Sequence, residues 1–241
     1  MCARIIVSFV VLAGLGGISP GAIIEYDFTH PASYTLTEVN NAGGIRVFDK
    51  LFTSFYVDRT ASAGAVAPGL GEISVRGVNV NGDYGLIFSG LWQAGYGQIA
   101  DSAITFKVTV PEGYLIKDNG LKLLAYGAVW GGGVSITENV YAGDPSTSPS
   151  IANKYVYYTR NGDNTSSGIG IVEDHKDFTP LSEIWVVKDV GAAGGLNQNQ
   201  LGYATISQFQ QTFSQIPEPA TLALLAVGGL LVLRRRNRYK A

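Results

Sequence analysis

Two histidines, nineteen carboxylates and one cysteine are the groups from which acid–base, metal or thiol chemistry would have to be built in this 241-residue chain. His30 precedes Pro31 and reads as a solvated loop residue. His175 lies in Glu173-Asp174-His175-Lys176-Asp177, where carboxylates beside an imidazole offer metal ligands or an acid–base pair. No second ligand cluster accompanies it, so the segment reads as a charged turn between two strands. Asn161, Asp163 and Thr165 alternate as the oxygen donors of calcium loops do. Gly162 is misplaced for an EF-hand and no Glu follows at the required spacing, so a hairpin tip is expected instead. Gly-x-Ser-x-Gly, His-Glu-x-x-His and P-loop spacings are absent. Hydrolysis by two carboxylates draws its pair from distant strands, which residue order cannot select. The sequence therefore assigns no catalytic residue, no metal and no cofactor.

Aromatic residues offer a different chemistry. Trp92, Trp130 and Trp185, joined by Tyr155, Tyr157 and Tyr158, present ring faces that stack on sugars, a function β-sandwiches commonly host. Their size equally suits a core, and alternation places Trp185 among strand residues. Glu138 falls on the apolar phase of Val134–Val140. A carboxylate there is expected at a sheet edge, hydrogen-bonded or discouraging edge pairing.

These residues must be positioned by strands. Ile104, Phe106, Val108 and Val110 share one phase and Thr105, Lys107 and Thr109 the other, the pattern of a half-buried antiparallel strand. Ile73 and Val75 are out of phase with Val78 and Val80, which predicts a β-bulge at Gly77. Asn81-Gly82 marks a hairpin, and Asn119-Gly120 a turn between Tyr114–Ile116 and Leu121–Tyr126. Further strands are expected near Ile169–Glu173, Ile184–Val190 and Tyr203–Ser207. Ile206, Phe209 and Phe213 alternatively share a short helical face. Eight to twelve strands at this spacing predict an all-β protein, a single two-sheet antiparallel β-sandwich of jelly-roll-like type over residues 23–215.

Composition agrees. Gly contributes 31 residues and charged residues only 15%, a profile of strands and turns. Residues 23–216 contain eleven basic and eighteen acidic side chains, a net charge of −7. An acidic middle without a basic patch excludes nucleic acid as the expected partner.

The two ends read as addresses. Arg4 precedes the apolar run Ile5–Leu15, followed by small residues to Ala22, so residues 1–22 form a secretory signal peptide. Cys2 departs with it, and the mature chain has neither disulfide nor thiol chemistry. At the other end, Pro217-Glu218-Pro219 precedes fourteen uncharged residues, 220–233, and then Arg234, Arg235 and Arg236. The apolar run is expected to form a membrane helix with its arginine end cytoplasmic.

This tripartite end, residues 216–241, resembles the PEP-CTERM sorting domain of bacterial exported proteins. The resemblance implies recognition by an exosortase-type membrane protease, transient anchoring in the inner membrane through residues 220–233, and delivery to the cell envelope or exterior. The middle is similar to a recurrent cargo type of such proteins through Asp49–Phe52 with Phe55, Tyr84–Phe88, Val134–Val140, Val187–Val190, and Ala204–Ser207 with Gln210, Phe213 and Gln215. That likeness supplies no catalytic residue. The expected function is a non-enzymatic exported surface or matrix protein. The alternative is a carbohydrate-binding or carbohydrate-cleaving module, with extracellular polysaccharide as its partner. Mass spectrometry of released protein should find a chain that ends near Pro217–Pro219 and lacks the arginine cluster. Glu218→Ala should trap the precursor, and exported protein ending at Ala241 would contradict this reading.

Overall fold

Inward Ile104, Phe106 and Val108 alternate with outward Thr105, Lys107 and Thr109 on a single strand, as their spacing requires. The computed structural model describes residues 21–162, 167–196 and 201–218. Residues 1–20 of the expected signal peptide 1–22, Pro219, the expected helix 220–233 and Arg234–Arg236 lie outside the described residues, as do Asp163 and Thr165 of the polar hairpin tip.

The strands are β1 (Ile24–Glu25), β2 (Tyr34–Thr35), β3 (Ile45–Val47), β4 (Lys50–Ala61), β5 (Ser74–Val80), β6 (Asp83–Gly95) and β7 (Ile99–Thr109). They continue with β8 (Tyr114–Val129), β9 (Gly133–Tyr141), β10 (Ser150–Thr159), β11 (Ile169–Ile171), β12 (Glu173–Leu181), β13 (Glu183–Ala193) and β14 (Tyr203–Pro217). An eight-stranded sheet has the order β1-β3-β4-β7-β13-β9-β10-β11, and a six-stranded sheet the order β12-β8-β14-β6-β5-β2. All pairings between these strands are antiparallel except β1 with β3. The two sheets form the expected β-sandwich, closed over a core that includes Phe52, Phe88, Phe106, Phe209 and Phe213. Phe88 stacks on Phe209 at 4.8 Å and 10°, tying the first half of the six-stranded sheet to its last strand.

The Asn81-Gly82 hairpin forms as expected. Both residues have positive φ, 55° and 99°, and Val80 pairs with Asp83. Several other expectations are corrected. Gly77 is not a bulge, because β5 pairs with β6 without a register shift. Val75 and Gly77 are the inward pair, and Val78 and Val80 face outward. A Cβ on Gly77 would lie 2.4 Å from the Tyr26 ring, so the glycine makes room for an aromatic neighbour. Asn119-Gly120 is not a turn but the middle of the sixteen-residue β8. Glu173–Asp177 is not a turn either; it is the first part of the edge strand β12, paired with β8. Ile206, Phe209 and Phe213 all point into the core from β14, and the phase slip that imitates a helix is a bulge between Ile206 and Gln208. The structure also contains a six-residue helix, α1 (Leu36–Asn41), that the strand alternation does not indicate. Thr35 and Glu38 cap it reciprocally, and Leu36 and Val39 anchor it.

Glu138 is the most consequential correction. Its strand, β9, lies between β13 and β10, so the carboxylate is interior rather than at an edge. It is fully buried, as are Lys188 and Asn119, with Lys154 and Gln211 equally enclosed. Lys188 Nζ reaches Glu138 Oε2 at 2.8 Å, and Lys154 Nζ reaches Oε1 at 2.6 Å. Asn119 Nδ2 donates to Oε1 at 2.7 Å, and Lys188 Nζ donates to Gln211 Oε1 at 2.5 Å. Lys188 also sits 5.2–5.3 Å from the ring centres of Phe88, Phe106 and Phe209, a cage that offers three aromatic faces to its charge. Burial pushes the Lys188 ammonium down to about 8, against the opposing pull of Glu138. Burial alone would raise the Glu138 carboxyl, but Lys188 and Lys154 outweigh it and hold it below its ordinary value. Because one carboxylate serves both lysines, Glu138→Gln should destabilise the domain by about 3–5 kcal/mol in urea titrations. A loss below about 1 kcal/mol would show that the cluster is not a structural centre.

Candidate functional site

β10 carries Tyr155, Tyr157 and Tyr158 and places them on two sides of the sandwich. Tyr155 and Tyr157 point outward from the eight-stranded sheet and stack at 5.3 Å and 20°. Beside them a hollow of about 340 Å³ runs along Gly133, Ser135, Thr159 and Ala193. Tyr158 points the other way and meets Tyr126 of β8 at 5.0 Å. Its ring lies where a Cβ on Gly168 would have to be, so that position accepts only glycine without rearrangement.

Tyr126, Tyr158, Tyr203 and Arg160 line a groove of about 730 Å³ with Thr205 and Ser207 at its rim. The groove follows β8 onward from Leu123, whose N donates at 2.8 Å to the O of Val172, the residue just before β12. Concavities of this size, part aromatic and part hydroxyl-lined, are the usual shape of small-ligand sites.

Trp130 itself lines neither hollow, but its chain neighbours do. Val129 lines the larger and Gly131 the smaller. Trp130 and Gly131 form the tight β8–β9 turn, with φ of 51° and 82°, and Gly132 N donates to Val129 O at 3.0 Å. A left-handed conformation suits glycine or asparagine and strains a bulky aromatic. The other tryptophans divide. Trp92 has no exposed surface and packs against Phe209, so it is core and corrects the expectation of a ligand contact. Trp185 is half-buried on the outer face of the eight-stranded sheet, opposite Tyr141 of β9, with Lys107 Nζ 5.9 Å from its ring.

The same outer face carries a carboxylate pair that the sequence did not single out. Asp101 of β7 and Asp189 of β13 share a hydrogen bond, and Asp101 is pushed up to about 7 by partial burial first and then by that bond and the charge of Asp189. Only pairing register could have revealed it, since Gly191 stands opposite Asp101 and Asp189 opposite Ala103.

His175 does meet carboxylates. Its Nε2 lies 3.6 Å from Asp177 Oδ1 and 3.8 Å from Asp118 Oδ2, and the three donors fall within 4.8 Å of one another. Lys117 Nζ occupies the same Asp118 oxygen at 2.8 Å, and Ser214 Oγ donates to that oxygen too. Burial pushes Asp118 up, but Lys117 and Ser214 outweigh it and keep the carboxyl below its usual range. The cluster is thus satisfied by its own cation, and these donors do not call for a metal.

Residues 215–238 match the PEP-CTERM protein-sorting motif. The chain is an exported, PEP-CTERM-bearing β-sandwich protein, and the motif implies processing by an exosortase-type membrane protein. The motif begins inside β14, which runs through Pro217, and Glu218 N donates to Gly113 O at 2.9 Å. No helix among the described residues is long and apolar enough to cross a membrane. No curated protein matches the chain. Among solved structures, TmCBM61 in complex with beta-1,4-galactotriose is 13% identical, with 68% of this chain and 88% of that one covered and a TM-score of 0.26. CpGH89CBM32-5 from Clostridium perfringens, in complex with GalNAc-beta-1,3-galactose, is 16% identical over 64% and 94%, with a TM-score of 0.25. A family 11 carbohydrate-binding module from Clostridium thermocellum is 12% identical over 68% and 89%, with a TM-score of 0.23. At these scores the likenesses carry no argument about function.

The Asp101–Asp189 pair sets a pH dependence. The folded state holds a proton that the unfolded chain releases near its ordinary value of 3.8, so between pH 4 and pH 7 the folded state binds more protons. Stability contributed by this pair therefore falls as pH rises through that window. Asp101→Asn should raise the melting temperature at pH 8 and flatten its decline between pH 4 and pH 7. An unchanged slope would contradict the shared proton.

Proposed function

We propose that the sandwich is a non-catalytic polysaccharide-binding module, carried out of the cell by its sorting segment. The observation that carries this reading is the outward, stacked Tyr155–Tyr157 pair beside the smaller hollow, and next to it Trp130 holds a strained left-handed turn whose flanking residues, Val129 and Gly131, line the two hollows. Strain of this kind persists where the surrounding structure enforces it, and it concentrates at ligand sites. The ring faces of Tyr155 and Tyr157 suit the C–H faces of pyranose rings. Ser135, Thr159, Thr205 and Ser207 supply hydroxyl partners, and Arg160 a planar donor set for ring oxygens or uronate carboxylates. Trp185, on the same outer face as Tyr155, extends the aromatic surface along the sheet.

The carboxylates support binding rather than cleavage. Asp101 and Asp189 are in hydrogen-bond contact, and the Asp118 and Asp177 donor atoms lie within 4.8 Å. Glycoside hydrolysis separates its two carboxyl groups by about 5–5.5 Å for retention and about 6.5–9.5 Å for inversion. Neither pair leaves room for a sugar or a water between its members.

Affinity electrophoresis and calorimetry against neutral and uronate-containing polysaccharides test the reading. Tyr155→Ala should weaken binding at least tenfold, about 1.4 kcal/mol. Trp130→Asn should weaken it similarly while leaving stability equal or higher, because asparagine tolerates the left-handed turn. Absence of binding across the panel, or binding indifferent to both substitutions, would overturn the proposal. Reducing sugar released by wild-type protein but not by a carboxylate variant would overturn its non-catalytic part.

A further inference from the structure

The buried cluster that aligns the two sheets also contains a reactive arrangement that polysaccharide binding does not use. Lys154, Asn119 and Glu138 meet between the sheets, each essentially without exposed surface. One oxygen, Glu138 Oε1, lies 2.6 Å from the Lys154 amine and accepts from Asn119 Nδ2 at 2.7 Å. The same amine donates to Asn119 Oδ1, which brings it against the carboxamide. We propose that Lys154 and Asn119 condense into an intramolecular isopeptide bond, with Glu138 carrying the protons.

The chemistry balances without any other reactant. Lys154 Nζ passes one proton to Glu138 Oε1, which turns an ion pair into two neutral groups and so suits a dry site. The freed lone pair attacks Asn119 Cγ and forms the Nζ–Cγ bond. Glu138 delivers its proton to Nδ2 and takes the second from Nζ as the Cγ–Nδ2 bond breaks. Ammonia leaves and accepts that last proton, restoring the carboxylate. A lysine ammonium and a carboxamide become a secondary amide and an ammonium ion; nothing is oxidised or reduced. Exclusion of water keeps hydrolysis from competing for the carbonyl.

Lys188 and Gln211 are the rival amine and amide, but their geometry differs. Lys188 bonds Oε2, whereas Gln211 Nε2 reaches Oε1 only at 3.3 Å, so no single oxygen bridges amine and amide. Lys188 instead holds Oε2 from within its phenylalanine cage, which leaves Oε1 turned towards Lys154 and Asn119. Asn119 belongs to β8 of the six-stranded sheet and Lys154 to β10 of the eight-stranded sheet. The bond would staple the two sheets across a sequence separation of 35 residues. It would give a cysteine-free mature chain the covalent tie that a disulfide gives others.

Tryptic mapping of the full-length chain, purified folded and then denatured, tests this. The expected product is a branched peptide joining residues 118–122 to residues 123–160, uncleaved at Lys154 and lighter than the two by one ammonia, about 17 Da. The branch is the deciding readout, because a succinimide at Asn119-Gly120 loses the same ammonia without a link. Glu138→Gln protein, recovered from any fraction, should yield only linear peptides. Separate 118–122 and 123–154 peptides from folded wild-type protein would overturn the proposal. A link at Lys188–Gln211 would overturn the choice of residues, and a branched product from Glu138→Gln would overturn the role of Glu138.

Discussion

Charge enclosed between two sheets is costly unless each group is met by a partner at the correct distance. Glu138, Lys154 and Lys188 come from three neighbouring strands of one sheet, and Asn119 and Gln211 from two neighbouring strands of the other. Moving any of these strands by one residue would turn its polar side chain outward and leave the others without a partner. Apolar residues exchange places at modest cost, so a purely hydrophobic core tolerates neighbouring registers more readily. The cluster therefore fixes how β9, β10 and β13 face β8 and β14. The hollows around β10 inherit that alignment, since Tyr155 and Tyr157 flank Val156 on the strand that also carries Lys154.

Much of this was legible in the alternation of residues, and the failures have specific causes. The strand at 103–110, the Asn81-Gly82 hairpin and the two-sheet class followed from periodicity and turn chemistry, because local sequence decides them. Asn119-Gly120 and Glu173–Asp177 read as turns because polar residues usually mark turns. Here one group is polar to satisfy a buried carboxylate and the other because β12 is an exposed edge. Gly77 imitated a bulge because its role is set by Tyr26, fifty-one residues away. Glu138 was visible as an acid on an apolar phase, but its partners lie on other strands and no spacing along the chain exposes them. The Thr35-Leu36-Thr37-Glu38 capping box was a local signal and could have located α1.

The binding surface divides in the same way. Tyrosines concentrated at 155–158 are plain in the sequence, but strand alternation decides that Tyr155 and Tyr157 face one hollow while Tyr158 turns the other way and borders both. Trp92 and Trp130 are alike as residue types. Burial separates them, with Trp92 taken up by the phenylalanine core and Trp130 placed at a turn where its backbone is strained. The Asp101–Asp189 pair arises only from register.

The sorting segment joins this architecture at a telling point. β14 lies between β8 and β6 and is bonded to both along most of its length, and its last residues are the first of the motif. Were the sorting segment held, load would enter through Ser214–Pro217, which pair with β8 alone, and reach the β6 ladder only from Phe213 inward. Gln211 in that strand also reaches into the buried cluster, which gives a hydrogen-bonded path from β14 to Lys188 and Glu138 of the opposite sheet. A cross-link between Asn119 on the adjoining strand β8 and Lys154 on β10 would complete that path covalently. The interior cluster that sets strand register would then also hold the exported domain together while its C-terminal end is gripped.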